Sequence, residues 1–242
     1  VCILSLVHPE SPATQVEQDR PVPSWIKSAL AALIPVRKRF DPSVIADPVA
    51  QQIEWSPAKG GGANFCTHKL VEVDPNRLEF KPTLLAWGFY LVFAVPGAGV
   101  VLAAVLGSNL SRQSVLSLEV GVPILLGSFF LVIGTCMLYF GTAPIVFDKY
   151  RSCFWKGRKG PADVADPRAL KHFAPLGEIY ALQILSERCS SKNGSYYSYE
   201  LNLVLCDKRR INVVDHGNLR RLREDAQALS RFLAKPVWDG LT

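Results

Sequence analysis

Leu84–Leu106 reads LLAWGFYLVFAVPGAGVVLAAVL, and Val120–Phe147 reads VGVPILLGSFFLVIGTCMLYFGTAPIVF. Neither stretch contains Asp, Glu, Lys or Arg. A bilayer core about 30 Å thick needs roughly 20 apolar residues in a helix, and both stretches reach that length. A buried helix of a soluble protein seldom runs beyond about 14 fully apolar residues. The pair therefore predicts a transmembrane helical hairpin within residues 83–147. Both stretches are internal and too long for a signal peptide. The opening VCILSLVHPE is too short for a third span, and a start at Val1 rather than Met suits a fragment or a trimmed chain.

The flanking charge orients the hairpin. Lys69, Arg77 and Lys81 precede it, and Lys149, Arg151, Lys156, Arg158 and Lys159 follow it. The connecting loop 107–119 carries only Arg112 as a base. Lys and Arg beside spans stay cytoplasmic, so both termini are expected inside and the loop outside. Trp87, Tyr90 and Tyr139 lie near span ends, where aromatic rings favour the interface. Cys66, Cys153, Cys189 and Cys206 then fall in a reducing compartment, which disfavours disulfides. No cysteine pair has zinc-site spacing.

Working outward, the pattern on both sides is that of strands. FCTHKLVEV (65–73) alternates, Asp74-Pro75-Asn76 is a turn, and RLEF (77–80) returns with Leu78 and Phe80 on one face. After the hairpin come PIVFD (144–148), RSCFW (151–155), EIYALQILSER (178–188) and YYSYELNLVLC (196–206), the last two joined by a turn at Asn193-Gly194. In YYSYELNLVLC, Tyr197, Tyr199, Leu201, Leu203 and Leu205 share a face. RRINVVD (209–215) follows Asp207-Lys208. Asn218 then caps a helix whose Leu219, Leu222, Ala226, Leu229 and Leu233 repeat at helical spacing. That helix ends at Pro236, and Trp238 can pack back on the sheet.

Two strands thus precede the hairpin and about five follow it. An isolated two-stranded hairpin is marginal in water, so residues 61–82 need the later strands as partners. The spans are then an insertion within one cytoplasmic β-domain whose remainder is 148–242. Residues 1–60 form an N-terminal extension. Its first part is rich in Pro, Ser, Gln and acids, and SWIKSALAALIPVRKRF (24–40) is a short amphipathic helix with a basic end. That helix either rests on anionic headgroups or packs on the soluble domain.

The order strand, loop, PLGEIYALQIL, turn, YELNLVL, a turn at Asp207, RRINVVDHG and a helix ending FLAKPVWD resembles bacterial pleckstrin-homology-like membrane proteins. These join two transmembrane helices to a cytoplasmic β-domain. The resemblance covers roughly residues 145–239 plus the hairpin. It implies an α+β membrane protein in which the hairpin is inserted in an antiparallel β-barrel or sheet closed by a C-terminal helix. It carries over no catalytic residue and no lipid-headgroup motif.

The residues offer few chemical constellations. Cys66 and His68 can share a strand face, but two ligands are too few for structural zinc. His216 beside Asp215 is either half of an acid–base pair or a turn residue. Gly60-Gly61-Gly62 lacks the Gly-Lys-Ser/Thr ending of a phosphate loop and reads as a flexible link. No ionisable group beyond Cys136 and tyrosines lies in the spans, which argues against a pump or transporter. Gly127, Gly134 and Gly141 recur every seven residues and form a candidate helix-packing stripe, which either holds the two spans together or docks another membrane protein.

Charge stands out. The net charge is +6, residues 1–83 balance, and the excess falls after the second span. Lys156, Arg158, Lys159, Lys208, Arg209 and Arg210 are candidate lipid- or partner-binding residues, and Arg220, Arg221 and Arg223 form a further group. Near anionic lipid each base contributes about 1 kcal/mol, while aromatic and basic residues are not interleaved as nucleic-acid surfaces are. The expectation is a non-catalytic accessory protein of the bacterial cytoplasmic membrane, without cofactor or metal. It contacts the lipid bilayer and binds a protein partner or its own copy, as in immunity or complex assembly. The competing readings are an enzyme of lipid or envelope metabolism using His216 and Asp215, and an anionic-lipid sensor.

Overall fold

A computed structural model describes residues 40–191 and 194–241. The basic helix expected over 24–40 (all but its last residue), the acidic segment before it, and Asn193 of the expected turn lie outside the described residues. Strands β1 (His68–Asp74) and β2 (Arg77–Pro82) come first. Helices α1 (Leu84–Ser111) and α2 (Leu118–Gly141) follow. Then come β3 (Ile145–Asp148), β4 (Cys153–Lys156), β5 (Phe173–Pro175), β6 (Ile179–Ser191), β7 (Gly194–Leu205) and β8 (Arg210–His216). Helix α3 (Leu219–Leu233) and β9 (Val237–Asp239) end the chain.

The strands form two sheets, ordered β1-β2-β3-β4-β5 and β8-β7-β6-β9. All pairs are antiparallel except β6 with β9. The Asp74-Pro75-Asn76 turn is closed by Asp74, whose carboxylate accepts the Asn76 N–H at 2.8 Å. Alternation then puts Leu78 and Phe80 inside while Arg77 and Glu79 pair outside at 2.7 Å. Leu78 stands opposite Phe147 and Phe80 opposite Ile145. The helical hairpin therefore leaves and rejoins one sheet between two neighbouring strands.

The core lies between the sheets. Phe80, Phe147 and Phe154 from the first meet Leu182, Ile184, Leu201, Leu203 and Leu205 from the second. Leu222, Ala226 and Leu229 of α3 complete it. Asn218 caps α3 as its sequence foretells, accepting the Arg221 N–H at 3.1 Å.

Three expectations need correction. The sheets do not close into a barrel: β5 and β8 are end strands with no ladder between them. β5 is only three residues long and ends in Pro175, which has no N–H to donate. Among the described residues seven strands, not five, follow the hairpin, because β5 and β9 are too short to show alternation. Residues 40–62 also belong with the β-domain rather than with an extension reaching to residue 60. Ala50, Ile53 and Trp55 pack on Ala181, Val204 and Trp238. Tyr180 donates its hydroxyl to Asp47 at 3.0 Å, and Gln183 donates to Glu54 O at 3.0 Å. This strap buries the outer face of the second sheet.

At 1.5 Å per residue, the 28-residue α1 and 24-residue α2 span about 42 and 36 Å, long and apolar enough to cross a membrane. Their inner faces meet at the glycine stripe. A Cβ on Gly127 would lie 2.9 Å from Gly97 O, one on Gly134 would strike the Ala94 backbone, and one on Gly141 would strike the Tyr90 ring. Their outer faces expose Leu84, Leu102, Leu125, Phe129 and Phe140.

Candidate functional site

Both helices are fixed where they meet the sheet. Thr83 caps α1 by accepting the Ala86 N–H at 3.2 Å, and its hydroxyl donates to Cys66 O at 2.7 Å. Where the hairpin returns, Arg158 donates to Tyr139 O at 2.9 Å and Thr142 Oγ1 at 2.8 Å, and its guanidinium lies 4.5 Å over the Tyr139 ring. A cation on the last carbonyls of α2 complements the helix dipole. Arg158, expected to bind lipid or a partner, is thus a helix cap, and Lys159 beside it is exposed.

A cleft of about 770 Å³ opens where the barrel fails to close, between β5 and β8. Lys59, Lys156, Arg168, Lys171, Arg209 and Arg210 line it, with Glu178 as the one acid among the lining residues. Leu170, Phe173, Pro175 and Ile211 add apolar surface. Its near end adjoins the hairpin, since the Gly157 N–H donates to Pro144 O at 2.8 Å and the Lys156 N–H to His172 O at 3.0 Å. Its far end is the β7–β8 turn, where the Cys206 N–H donates to Glu178 O at 2.8 Å.

The bases differ in how committed they are. Lys156 is half-buried and spans the sheet gap, its ammonium donating to Val213 O at 2.8 Å and Asn212 Oδ1 at 3.0 Å. Burial pulls its pKa down to about 8, against the pull of Asp215. Lys156 is therefore a brace between the sheets, not the free surface charge the sequence suggested. Arg210 donates to Ser56 O at 2.7 Å and pairs with Glu54 at 3.2 Å, holding the strap. Arg209 pairs with Asp207 at 2.5 Å and Arg168 with Glu178 at 3.2 Å. Lys59 has only a long contact to Asp215, 3.9 Å, and Lys171 makes no ion pair among the described residues. Lys208 stands exposed in the turn with φ +69°. His172 senses the charge: burial first, then Lys156, Lys171 and Lys59, hold its pKa below the usual imidazole value.

No family model matches the chain, and no curated protein or solved structure matches it either.

The acid–base pair considered for His216 and Asp215 does not form. Neighbours on a strand point to opposite faces. Asp215 accepts Asn212 Nδ2 at 2.8 Å, while His216 is fully buried and accepts the Asn218 N–H at Nδ1, 3.3 Å. No solvent-borne substrate reaches that ring. Cys66 and His68 do not converge on a metal either: Cys66 Sγ donates to the His68 carbonyl at 3.1 Å, and the His68 ring bonds Thr67 Oγ1 at 3.0 Å. The Gly60–Gly62 link is a fixed turn rather than a flexible one. Gly61 and Gly62 donate to the Glu187 carboxylate at 3.0 and 3.4 Å, and a Cβ on Gly62 would strike Ser198. Sequence reading missed Lys59, Arg168 and Lys171, which lie far apart in the chain. The one signal was the basic excess of the loop after Lys156.

Proposed function

We propose that this chain is a non-catalytic accessory protein of the bacterial cytoplasmic membrane. Its hairpin crosses the bilayer, with both termini cytoplasmic and residues 107–119 outside. Its β-domain, of the pleckstrin-homology-like kind, binds a protein partner, as an immunity or complex-assembly protein would. The carrying observation is the insertion of the hairpin between the paired strands β2 and β3, fixed by Thr83 at one end and Arg158 at the other. A mere anchor needs no such brace, whereas a domain presented to a partner at a set height gains from it. The exposed leucines and phenylalanines of α1 and α2 need an apolar covering, which a bilayer supplies. Two sheets packed on a C-terminal amphipathic helix support the family resemblance.

Two measurements test the reading. With the native cysteines removed, Ser114→Cys should react with a membrane-impermeant maleimide in intact cells, and a cysteine kept at position 206 only after permeabilisation. The full chain, purified in mild detergent, should carry a stoichiometric protein partner. Labelling of position 206 from outside, or a chain that is always alone, overturns it.

A further inference from the structure

The cleft between β5 and β8 has the features of a ligand groove, and its chemistry narrows the ligand. The groove is flanked by two end strands that carry no ladder partner on that side. Lys156 already holds Val213 O and Asn212 O on the β8 edge and Pro175 has no N–H, so a ligand here is held by side chains rather than by main-chain pairing. Cations line the groove: Lys59, Lys156 and Lys171, with Arg168, Arg209 and Arg210. Leu170, Phe173, Pro175 and Ile211 lie between them.

We infer that this groove receives an extended acidic peptide segment of a protein partner, its carboxylates meeting Lys59 and Lys171 and its apolar side chains lying on Phe173 and Ile211. The inference rests on the membrane-anchored binding role proposed above and names the partner's chemistry.

Three observations favour a peptide over a phosphate-bearing headgroup. First, the bases do not converge on one point. Arg168, Arg209 and Arg210 already hold carboxylates, and Lys156 holds carbonyl oxygens, so no tight ring of free cations exists for a single dianion. Second, the volume of about 770 Å³ far exceeds a phosphate group, and the apolar lining suits side chains. Third, the groove runs away from the hairpin. Of β8 only Arg210, Ile211 and Asn212 line it, and Asn212 stands four residues from His216 at the hairpin end, roughly 13 Å at 3.3 Å each. A headgroup in the bilayer touches only the near end. Lys59 and Lys171 are the bases with least to lose: one has a 3.9 Å contact and the other no ion pair among the described residues.

The test uses the full chain in detergent and in zwitterionic nanodiscs, with a displayed octapeptide library as the probe. The expected result is enrichment of Asp and Glu at spaced positions with apolar residues between. The best selected peptide should lose about tenfold or more in affinity on the Lys59→Glu, Lys171→Glu double variant, and much of its binding at high salt. An unchanged thermal melt shows that the variant is folded, and Lys59→Gln, Lys171→Gln serves if it is not. The inference falls if selection shows no acidic bias, or if the double variant binds the peptide as well as the parent. It also falls if millimolar inorganic phosphate or glycerol phosphate displaces the peptide, or anionic nanodiscs block it, because the groove is then a phosphate or headgroup site. The two proposals fail separately. A partner that co-purifies equally with parent and double variant leaves the anchored role standing and removes the groove. A groove that binds acidic peptides while no partner co-purifies does the reverse.

Discussion

At the scale of single residues, the β-domain depends on buried polar groups that bridge separate elements. Lys156 is the clearest case, since its ammonium is the donor that ties β4 to β8 across an edge with no ladder. Lys156→Met keeps the stem and removes the donor, leaving Val213 O and Asn212 Oδ1 without it. The expected loss is about 1–3 kcal/mol in chemical denaturation, the usual cost of unpaired buried groups. The same change should raise the pKa of His172, which Lys156 depresses, as read by NMR titration. His216 makes a prediction with a definite sign. Burial holds its pKa at about 4, with Arg221 acting the same way. An unfolded imidazole takes its proton near 6.5. Between those values the unfolded chain binds the extra proton, so this residue's contribution is whole above about pH 6.5 and is lost as pH falls toward 4. Asp225, raised by burial to about 6, acts in the opposite sense, so the wild-type curve alone does not isolate the histidine. The comparison with His216→Gln does. The variant should melt below wild type at pH 7.5, and the gap should shrink steadily by pH 5. A gap that is constant with pH rejects the assignment.

At the scale of elements, the glycine stripe of α2 makes the strongest demand. Gly134 sits against the Ala94 backbone and leaves no room for a side chain. Gly134→Leu should separate α1 from α2 and lower the melting temperature of the detergent-purified chain. Leu125→Ala on the outer face, 75% exposed, should leave it nearly unchanged. This scale is also where sequence legibility divides. The long apolar helices were readable because an uncharged run of that length is stable in few surroundings except hydrocarbon. β2 and β7 were readable because one face is apolar and the other polar, so Leu78, Phe80, Leu201 and Leu203 alternate. The outer face of β7 was harder. Ser198, Glu200 and Asn202 look like solvent residues, yet they are buried under the strap, where Ala58 N–H reaches the Glu200 carboxylate at 2.9 Å. No local pattern encodes that cover. The cleft was only partly legible for a similar reason. Arg209 and Arg210 stand in a visible run, but Lys59, Arg168 and Lys171 become neighbours of that run only through the meeting of two sheet edges.

At the scale of the whole molecule, the order of the chain matters as much as its contacts. β2 is synthesised before the hairpin and β3 after it, with Leu78 waiting for Phe147. At about 5–20 residues per second, several seconds separate the two strands on the ribosome. Both apolar helices leave the exit tunnel ahead of β3. In the membrane reading, insertion therefore precedes completion of the first sheet, and the sheet becomes a record of insertion. On that reading, a chain whose helices stay outside the bilayer is expected to leave β2 and β3 unpaired and open to proteases, which limited proteolysis of uninserted chain checks. In that reading, placement in the membrane and survival of the β-domain are one event, and a cell that counts the folded domain is counting inserted hairpins.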